Sequence, residues 1–139
     1  MTSNKEQAIQ FSQKVVLRES KKRLPAGTAT VCQYEIDLDD AESQLEILRF
    51  NEPSSDWFDY VVNNRLGLDL FPQCDIVIGP VANDDVYRVI EFFESGMYTK
   101  EFAIDALKVK KLFNQYTVKT GAALGLLKFI SCETFGERD

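Results

Sequence analysis

Apolar residues near the N-terminus recur at helical spacing, which predicts an amphipathic first helix. Ser3 and Glu6 have the spacing of a capping box, so Ser3 is expected to cap this helix. Pro25-Ala26-Gly27 is expected to end it. The positions that share one side of the helix are Ala8, Phe11, Val15 and Val16.

Residues 29–36 alternate in polarity, which predicts a strand with one buried face and one wetter face. One face would carry Cys32, Tyr34 and Ile36, and the other Val31, Gln33 and Glu35.

The rest of the chain mixes short apolar runs with amphipathic segments. Strands are predicted at 45–50, 75–78, 114–119 and 128–131. Helices are predicted from Pro53-Ser54-Ser55-Asp56, over 84–95, from Thr99 to Leu107, and as a turn over 121–127. Gly79-Pro80 is expected to end the strand at 75–78. Because strands and helices do not alternate regularly, the pattern favours a single α+β domain over residues 1–139.

Composition fits that class. The net charge is −6, from 16 basic and 22 acidic residues, which argues against broad nucleic-acid affinity. The basic cluster Arg18, Lys21, Lys22 and Arg23 is interpreted as a solvated helix end, with a phosphate or RNA contact as the alternative. No apolar run is long enough to span a bilayer and the N-terminus lacks a signal-peptide layout, so we expect a cytoplasmic bacterial protein.

The cysteine pattern predicts neither a disulfide framework nor a zinc site, because Cys32, Cys74 and Cys132 are odd in number and far apart. Cys32 and Cys74 are expected to be small buried residues. The chain has no histidine, which excludes a Ser-His-Asp triad and argues against a transition-metal site. The common glycine-rich nucleotide loops are also missing from the sequence.

Two acidic segments have both structural and functional interpretations. Asp37, Asp39, Asp40 and Glu42 fit a solvated helix start better than a calcium loop, which needs a glycine and a closing glutamate that do not fit here. Asn83, Asp84 and Asp85 fit a helix cap with acids in the first turn. Their place after a predicted strand also makes them a candidate loop site, with metal binding by Asp84 and Asp85 as a weaker alternative.

Several segments together resemble an uncharacterised bacterial domain family that is grouped with the ADP-ribosyltransferase-like folds. They are residues 47–53, 57–65 and 75–87, including the run Ile-Gly-Pro-Val-Ala-Asn-Asp-Asp-Val-Tyr at 78–87. The similarity continues through 106–108, 114–115 and 123–124 to 129–130. The resemblance implies a mixed sheet flanked by helices.

ADP-ribosyltransferases cleave the bond between nicotinamide and ribose in NAD, through a transition state with oxocarbenium character. Such folds commonly use a histidine on an early strand, a tyrosine on the next and a glutamate on a late strand. Residues 114–118 look like that late strand, and the resemblance places Gln115 at the glutamate position as the candidate catalytic residue. Glutamine can hydrogen-bond a ribose hydroxyl but cannot act as a base.

Residues 1–8 resemble the family segment that directly follows the tyrosine strand, so the resemblance implies a domain without its first strands. NAD binding is then implied by resemblance only, and no cofactor is expected for this chain alone. The first hypothesis is therefore an ADP-ribosyltransferase-like domain that is inactive alone. The second is a non-catalytic interaction module, such as a toxin–antitoxin component. For such a module, the missing strands would leave unpaired edges that invite a second copy or a partner protein, and neither a membrane nor nucleic acid is expected as a partner.

Overall fold

The computed structural model describes residues 1–22, 27–68, 73–110 and 112–136, and only the backbone of Asp84. Within these ranges the chain forms six helices and five strands. In chain order they are α1 (Lys5–Lys21), β1 (Ala29–Glu35), α2 (Leu38–Gln44), β2 (Ile47–Arg49), α3 (Ser55–Arg65), β3 (Ile76–Pro80), α4 (Asp84–Glu94), α5 (Lys100–Lys108), β4 (Asn114–Val118), α6 (Gly121–Leu124) and β5 (Lys128–Phe135).

The strands form two small sheets. The first has the order β2-β3-β4, with β2 parallel and β4 antiparallel to β3. The second is an antiparallel two-stranded ribbon of β1 and β5. The predicted α+β class is confirmed.

The larger core lies between the three-stranded sheet and helices α3, α4 and α5. Trp57 is 2 % exposed there, and its indole Nε1 donates a buried 3.1 Å hydrogen bond to the carbonyl oxygen of Pro80. The buried members of this cluster are Phe50, Trp57, Phe58, Val61, Val77, Val86, Val89, Ile90, Ala103, Ile104 and Leu107. Trp57 and Phe58, two aromatic residues of α3, are therefore part of this core.

The opposite face of the sheet has its own smaller core. Ile76 and Ile78 point to this face while Val77 points to the larger core, so β3 is buried on both sides. Ala123 of α6 completes the buried set, and Tyr116 and Val118 of β4 pack against it.

Five helix starts confirm the sequence signals. Each begins after a residue whose side chain accepts a hydrogen bond from a backbone amide three positions on, which satisfies one of the exposed first-turn donors. The caps are Asp37, Ser54, Asn83, Thr99 and Thr120.

The predicted cap of α1 is wrong, because Asn4 and not Ser3 precedes the helix. The Asn4 Oδ1 accepts from the Gln7 amide at 3.0 Å. Thr2 explains the shift, since its backbone pairs with Gln115 and its hydroxyl accepts from the Asn4 amide. The helix ends at Lys21, and the predicted stop at Pro25 and Ala26 and the last member of the basic cluster, Arg23, lie outside the described residues.

α1 lies apart from both cores, because none of its residues is buried. Ala8, Val15 and Val16 are half-buried as the pattern predicts, whereas Phe11 is 60 % exposed, so its expected packing is wrong. None of the helices within the described ranges has both the length and the apolar character needed to cross a bilayer.

The predicted end of β3 at Gly79-Pro80 is also wrong, because both residues belong to the strand. Gly79 pairs with Gln115 and Pro80 with Asn114. Packing favours glycine here, since a Cβ at position 79 would lie 3.1 Å from the Cβ of Phe50, a tighter contact than most Cβ atoms make. β5 likewise runs to Phe135, beyond the predicted 128–131, because it pairs with β1 along its length.

The expectation of no disulfide is wrong, because Cys32 and Cys132 form one. The antiparallel register of β1 and β5 places the two residues directly opposite each other. Cys32 is exposed rather than buried, and Cys74 is a half-buried free thiol beside the larger core. Disulfides persist most readily in oxidising compartments, so the cytoplasmic location stays a prediction.

Candidate functional site

A cavity of about 300 Å³ opens between the three-stranded sheet and helices α3 and α4. Its floor is formed by Val77, Gly79, Gln115 and Thr117 of β3 and β4. The remaining lining residues are Phe50, Trp57, Tyr60, Val61, Asn64, Arg65, Pro80, Ala82 and Tyr87. The cavity therefore contains the candidate catalytic residue predicted from the sequence.

The position of Gln115 follows from the pairing of β4 with β3. Alternate residues of β4 face opposite sides of the sheet, so Tyr116 packs into the smaller core while Gln115 and Thr117 face the cavity. Gly79 lies directly opposite Gln115, and Phe50 packs closely over it. The Gln115 side chain is half-buried and forms no hydrogen bond to a residue that the structure describes, so its amide is available to a ligand.

The backbone at Gln115 is held from both sides. β3 pairs with it on one side, and Thr2 forms a bridge to it on the other. The next amide, that of Tyr116, donates to the Met1 carbonyl oxygen at 2.8 Å. Partial burial lowers the pKa of the Met1 amino group. The N-terminal segment thus covers the β4 edge beside the cavity.

Arg65 places a guanidinium at the cavity. It lies 5.1 Å from the centre of the Tyr87 ring, within cation–π distance. It also pairs with Glu91 at 3.0 Å and approaches Glu94 at 4.0 Å. These exposed pairs fix the orientation of Arg65 more than they add stability.

The lining is equipped for binding rather than for proton transfer. It contains the side-chain amides of Asn64 and Gln115, three hydroxyl groups, two of them on tyrosine rings, and one cation that is paired with Glu91. None of the described lining residues carries a carboxylate, imidazole or thiol, the groups that most often act as general bases or nucleophiles. The arrangement can hydrogen-bond a polar ligand and stack against a planar one.

Sequence reasoning missed three of the polar lining residues, Asn64, Arg65 and Tyr87. A signal for two of them was present, because the stripe that begins at Trp57 continues at helical spacing. Its members are Trp57, Tyr60, Val61, Asn64 and Arg65. The first three enter or border the core, and the last two continue the same face past its edge into the cavity wall.

The candidate loop at 83–85 lies beside this cavity but does not line it. Its neighbours Ala82 and Tyr87 are lining residues. The Asn83 Oδ1 accepts from the Val86 amide at 3.1 Å, which is the capping interpretation, and Asp85 is exposed. Within the described ranges no group of three potential metal ligands occurs. Any binding role of Asn83, Asp84 and Asp85 stays a prediction.

A separate polar cluster surrounds Asp75 at the opposite end of β3. The Thr120 hydroxyl donates to its Oδ1 at 2.7 Å and the Glu46 amide to its Oδ2 at 3.0 Å. These hydrogen bonds, led by the one from Thr120, lower the pKa of the Asp75 carboxyl. Because they join the start of β3 to β2 and α6, we assign Asp75 a structural role.

Comparison with known proteins identifies a family but no function. Residues 1–129 match the family model described as protein of unknown function (DUF3990), so the chain belongs to that family. No curated protein and no solved structure matches it.

Proposed function

We propose that this member of the DUF3990 family is an ADP-ribosyltransferase-like domain that binds one nucleotide-sized part of NAD weakly and does not cleave it. The observation that supports the proposal is the position of Gln115. It lies on the cavity floor with a free amide, while the described lining offers no carboxylate. Gln115 is the residue that the sequence resemblance places where such enzymes carry glutamate.

Charge in the cavity favours binding over cleavage. Nicotinamide–ribose cleavage builds positive charge on the ribose, which an enzyme stabilises with negative or polar groups aimed at it. Glutamine supplies no negative charge and cannot take a proton. The single formal charge among the described lining residues is the cation of Arg65, which already pairs with Glu91 at 3.0 Å, so the lining presents no negative charge to an oxocarbenium ion.

The size of the cavity limits the ligand. Ligand pockets commonly measure about 300–1,000 Å³, and this cavity lies at the lower end of that range. A mononucleotide half fits this space better than a whole dinucleotide. Tyr60 and Tyr87 provide aromatic surface, and Gln115, Asn64 and Thr117 provide hydrogen-bonding groups for a ribose.

The test is a titration with nicotinamide mononucleotide, ADP-ribose and NAD, followed by amide chemical shifts. We expect a Kd of about 0.1–1 mM for at least one ligand, with shifts centred on β4 and α3. Gln115→Ala should weaken binding several-fold. Gln33→Ala is the matched control, because Gln33 is an exposed glutamine on β1 outside the cavity.

The same samples should release no nicotinamide from NAD above the rate in buffer. Nicotinamide release that disappears in Gln115→Ala would refute the non-catalytic assignment. If none of the three ligands changes the amide chemical shifts, the binding assignment is refuted.

A further inference from the structure

The Cys32–Cys132 disulfide lies where a thiol can reach it in the folded chain. Both cysteines are exposed, and they lie directly opposite each other on β1 and β5. Exposed disulfides are in general more easily reduced than protected structural ones, and regulatory disulfides are usually of this accessible kind. Reduction therefore does not require the chain to unfold first.

Little hydrophobic burial supports the ribbon that this disulfide crosses. Ala29 is the single buried residue of β1 and β5, and it belongs to neither buried cluster of the described chain. An isolated pair of strands is marginally stable at best in water. Loss of the cross-link should therefore loosen the pairing of β1 with β5 while both buried clusters stay packed.

Helix α1 depends on both strands of the ribbon. It packs against β1, and none of its own residues is buried. Lys5 at its start reaches Glu133 of β5 at 3.4 Å, and the Gln13 Nε2 donates to the Gly136 carbonyl oxygen at 3.1 Å. Because α1 contacts β1 and is bonded to β5 and the residue that follows it, its position depends on how closely the two strands are held together.

The start of α1 connects this arrangement to the cavity. Asn4 caps the helix, and its amide donates to the Thr2 hydroxyl at 3.1 Å. The backbone of Thr2 bridges to Gln115, and the Met1 carbonyl oxygen accepts from the Tyr116 amide at 2.8 Å. Only two residues separate this bridge from the first residue of α1, so the N-terminal segment cannot keep its place if the helix moves.

We propose that the Cys32–Cys132 disulfide is a thiol-sensitive switch, and that its reduction by a dithiol releases the Met1–Thr2 segment from β4 beside Gln115. The oxidised chain holds the segment on the β4 edge. In the reduced chain the ribbon and α1 loosen, and the edge of β4 beside the cavity becomes open.

The chemical step is thiol–disulfide exchange with a dithiol reductant. One thiolate of the reductant attacks a sulfur of the Cys32–Cys132 bond, which breaks, and a mixed disulfide forms while the other cysteine leaves as a thiolate. The second thiol of the reductant then displaces the remaining cysteine. The reductant is oxidised to a disulfide by two electrons, and its two protons end on Cys32 and Cys132.

Amide hydrogen exchange followed by NMR tests the proposal on the oxidised chain and on the same chain treated with dithiothreitol. The Tyr116 amide reports release of the segment, because it donates to the Met1 carbonyl oxygen. It should exchange about tenfold faster or more after reduction, since the usual contribution of a disulfide corresponds to at least that factor. The Phe50 amide, which donates to the Ile78 carbonyl oxygen at 2.8 Å on the other side of β3, should change by a smaller factor.

The matched control is the chain that carries both Cys32→Ser and Cys132→Ser. Its Tyr116 amide should exchange as fast as that of the reduced wild type. Dithiothreitol should not change this rate further, which separates the switch from any effect on the free thiol of Cys74. The fluorescence of Trp57 should remain that of a buried indole in every sample, because the larger core stays folded.

An unchanged Tyr116 exchange rate after reduction overturns the proposal. Equal acceleration of the Tyr116 and Phe50 amides, or exposure of Trp57, overturns it as well, because either result shows a general loss of stability. Alkylation of quenched samples followed by mass measurement counts the reduced cysteines. A disulfide that dithiothreitol reduces only in the urea-unfolded chain would also contradict the switch.

The switch does not depend on nucleotide binding. Exchange at Tyr116 is measured without any ligand, so a chain that binds none of the three nucleotides can still pass this test. A chain that binds one of them can fail it, and the two proposals are therefore refuted by different results.

Discussion

Replacing both Cys32 and Cys132 by serine should lower the free energy of unfolding. The disulfide joins residues separated by 100 positions, so its loss frees a large loop in the unfolded chain. Neither buried cluster of the described chain includes a residue of β1 or β5. The cross-link therefore holds β1 and β5 to each other in addition to their strand pairing.

Loop-closure entropy gives the magnitude. A cross-link closing a loop of about 100 residues removes about 4.7 kcal/mol of chain entropy from the unfolded state at 25 °C. Measured losses are usually smaller, and we expect about 2–4 kcal/mol. Both cysteines are exposed, so the serine side chains themselves should change stability little.

Urea unfolding with two probes measures the effect. Trp57 is the single tryptophan and lies in the larger core, so its fluorescence reports that core. Circular dichroism also reports α1 and the ribbon. The two transitions should coincide in the oxidised wild type. In the double-serine variant, the transition followed by circular dichroism should occur at a lower urea concentration than the transition followed by fluorescence. Reduced wild type should match that variant within about 0.5 kcal/mol, because both lack only the cross-link.

A thiol titration gives the decisive check. The unfolded, unreduced wild type should contain one reactive thiol, that of Cys74. Three reactive thiols would show that the disulfide is not formed. Equal unfolding free energies for oxidised wild type and double-serine variant would refute the entropic reasoning.

Three further perturbations test the sheet and its core. Trp57→Phe should lower the free energy of unfolding by about 2 kcal/mol, because it removes ring volume and leaves the carbonyl oxygen of Pro80 without its buried donor. An unchanged urea midpoint would contradict that contact. Gly79→Ala should cost about 1–3 kcal/mol because the new Cβ meets the buried phenylalanine that follows β2, whereas Gly121→Ala, in open space, should cost nothing measurable. Asp75 has a folded-state pKa below its ordinary value of 3.8, so its stabilising effect is full above that value and is lost as the pH falls through the folded-state pKa. Thr120→Val should raise the titration midpoint of the Asp75 carboxyl in a carbon-detected NMR titration. An unchanged midpoint would show that the Thr120 hydroxyl is not what lowers this pKa.

Helix boundaries could be predicted because their signals are local. Ser54, Asn83, Thr99 and Thr120 each satisfy amides only three residues away, so the sequence alone contains the relevant chemistry. The cap of α1 escaped prediction because Thr2 is held by β4, more than a hundred residues later in the chain.

Strand partners could not be read from the pattern, since pairing joins distant segments. The disulfide depends on the register of β1 against β5, for which cysteine spacing gives no signal. Gly79 looks like a strand stop locally, whereas its small size suits the close approach of Phe50, which follows β2.

The candidate site was predictable only in part, for the same reason. Gln115 was named from resemblance, and the α3 face that surrounds it extends a helical stripe visible in the sequence. Tyr87 enters the cavity through the packing of α4 beside α3, which a one-dimensional pattern does not contain.

The attachment of the first two residues to β4 has a practical consequence for anyone producing this protein. An affinity tag fused ahead of Met1 would continue directly from the segment hydrogen-bonded beside Gln115. Its residues could compete for the same backbone groups and alter access to the cavity. Ligand titrations are therefore best performed on material whose purification handle follows Asp139 or has been cleaved without leaving extra residues.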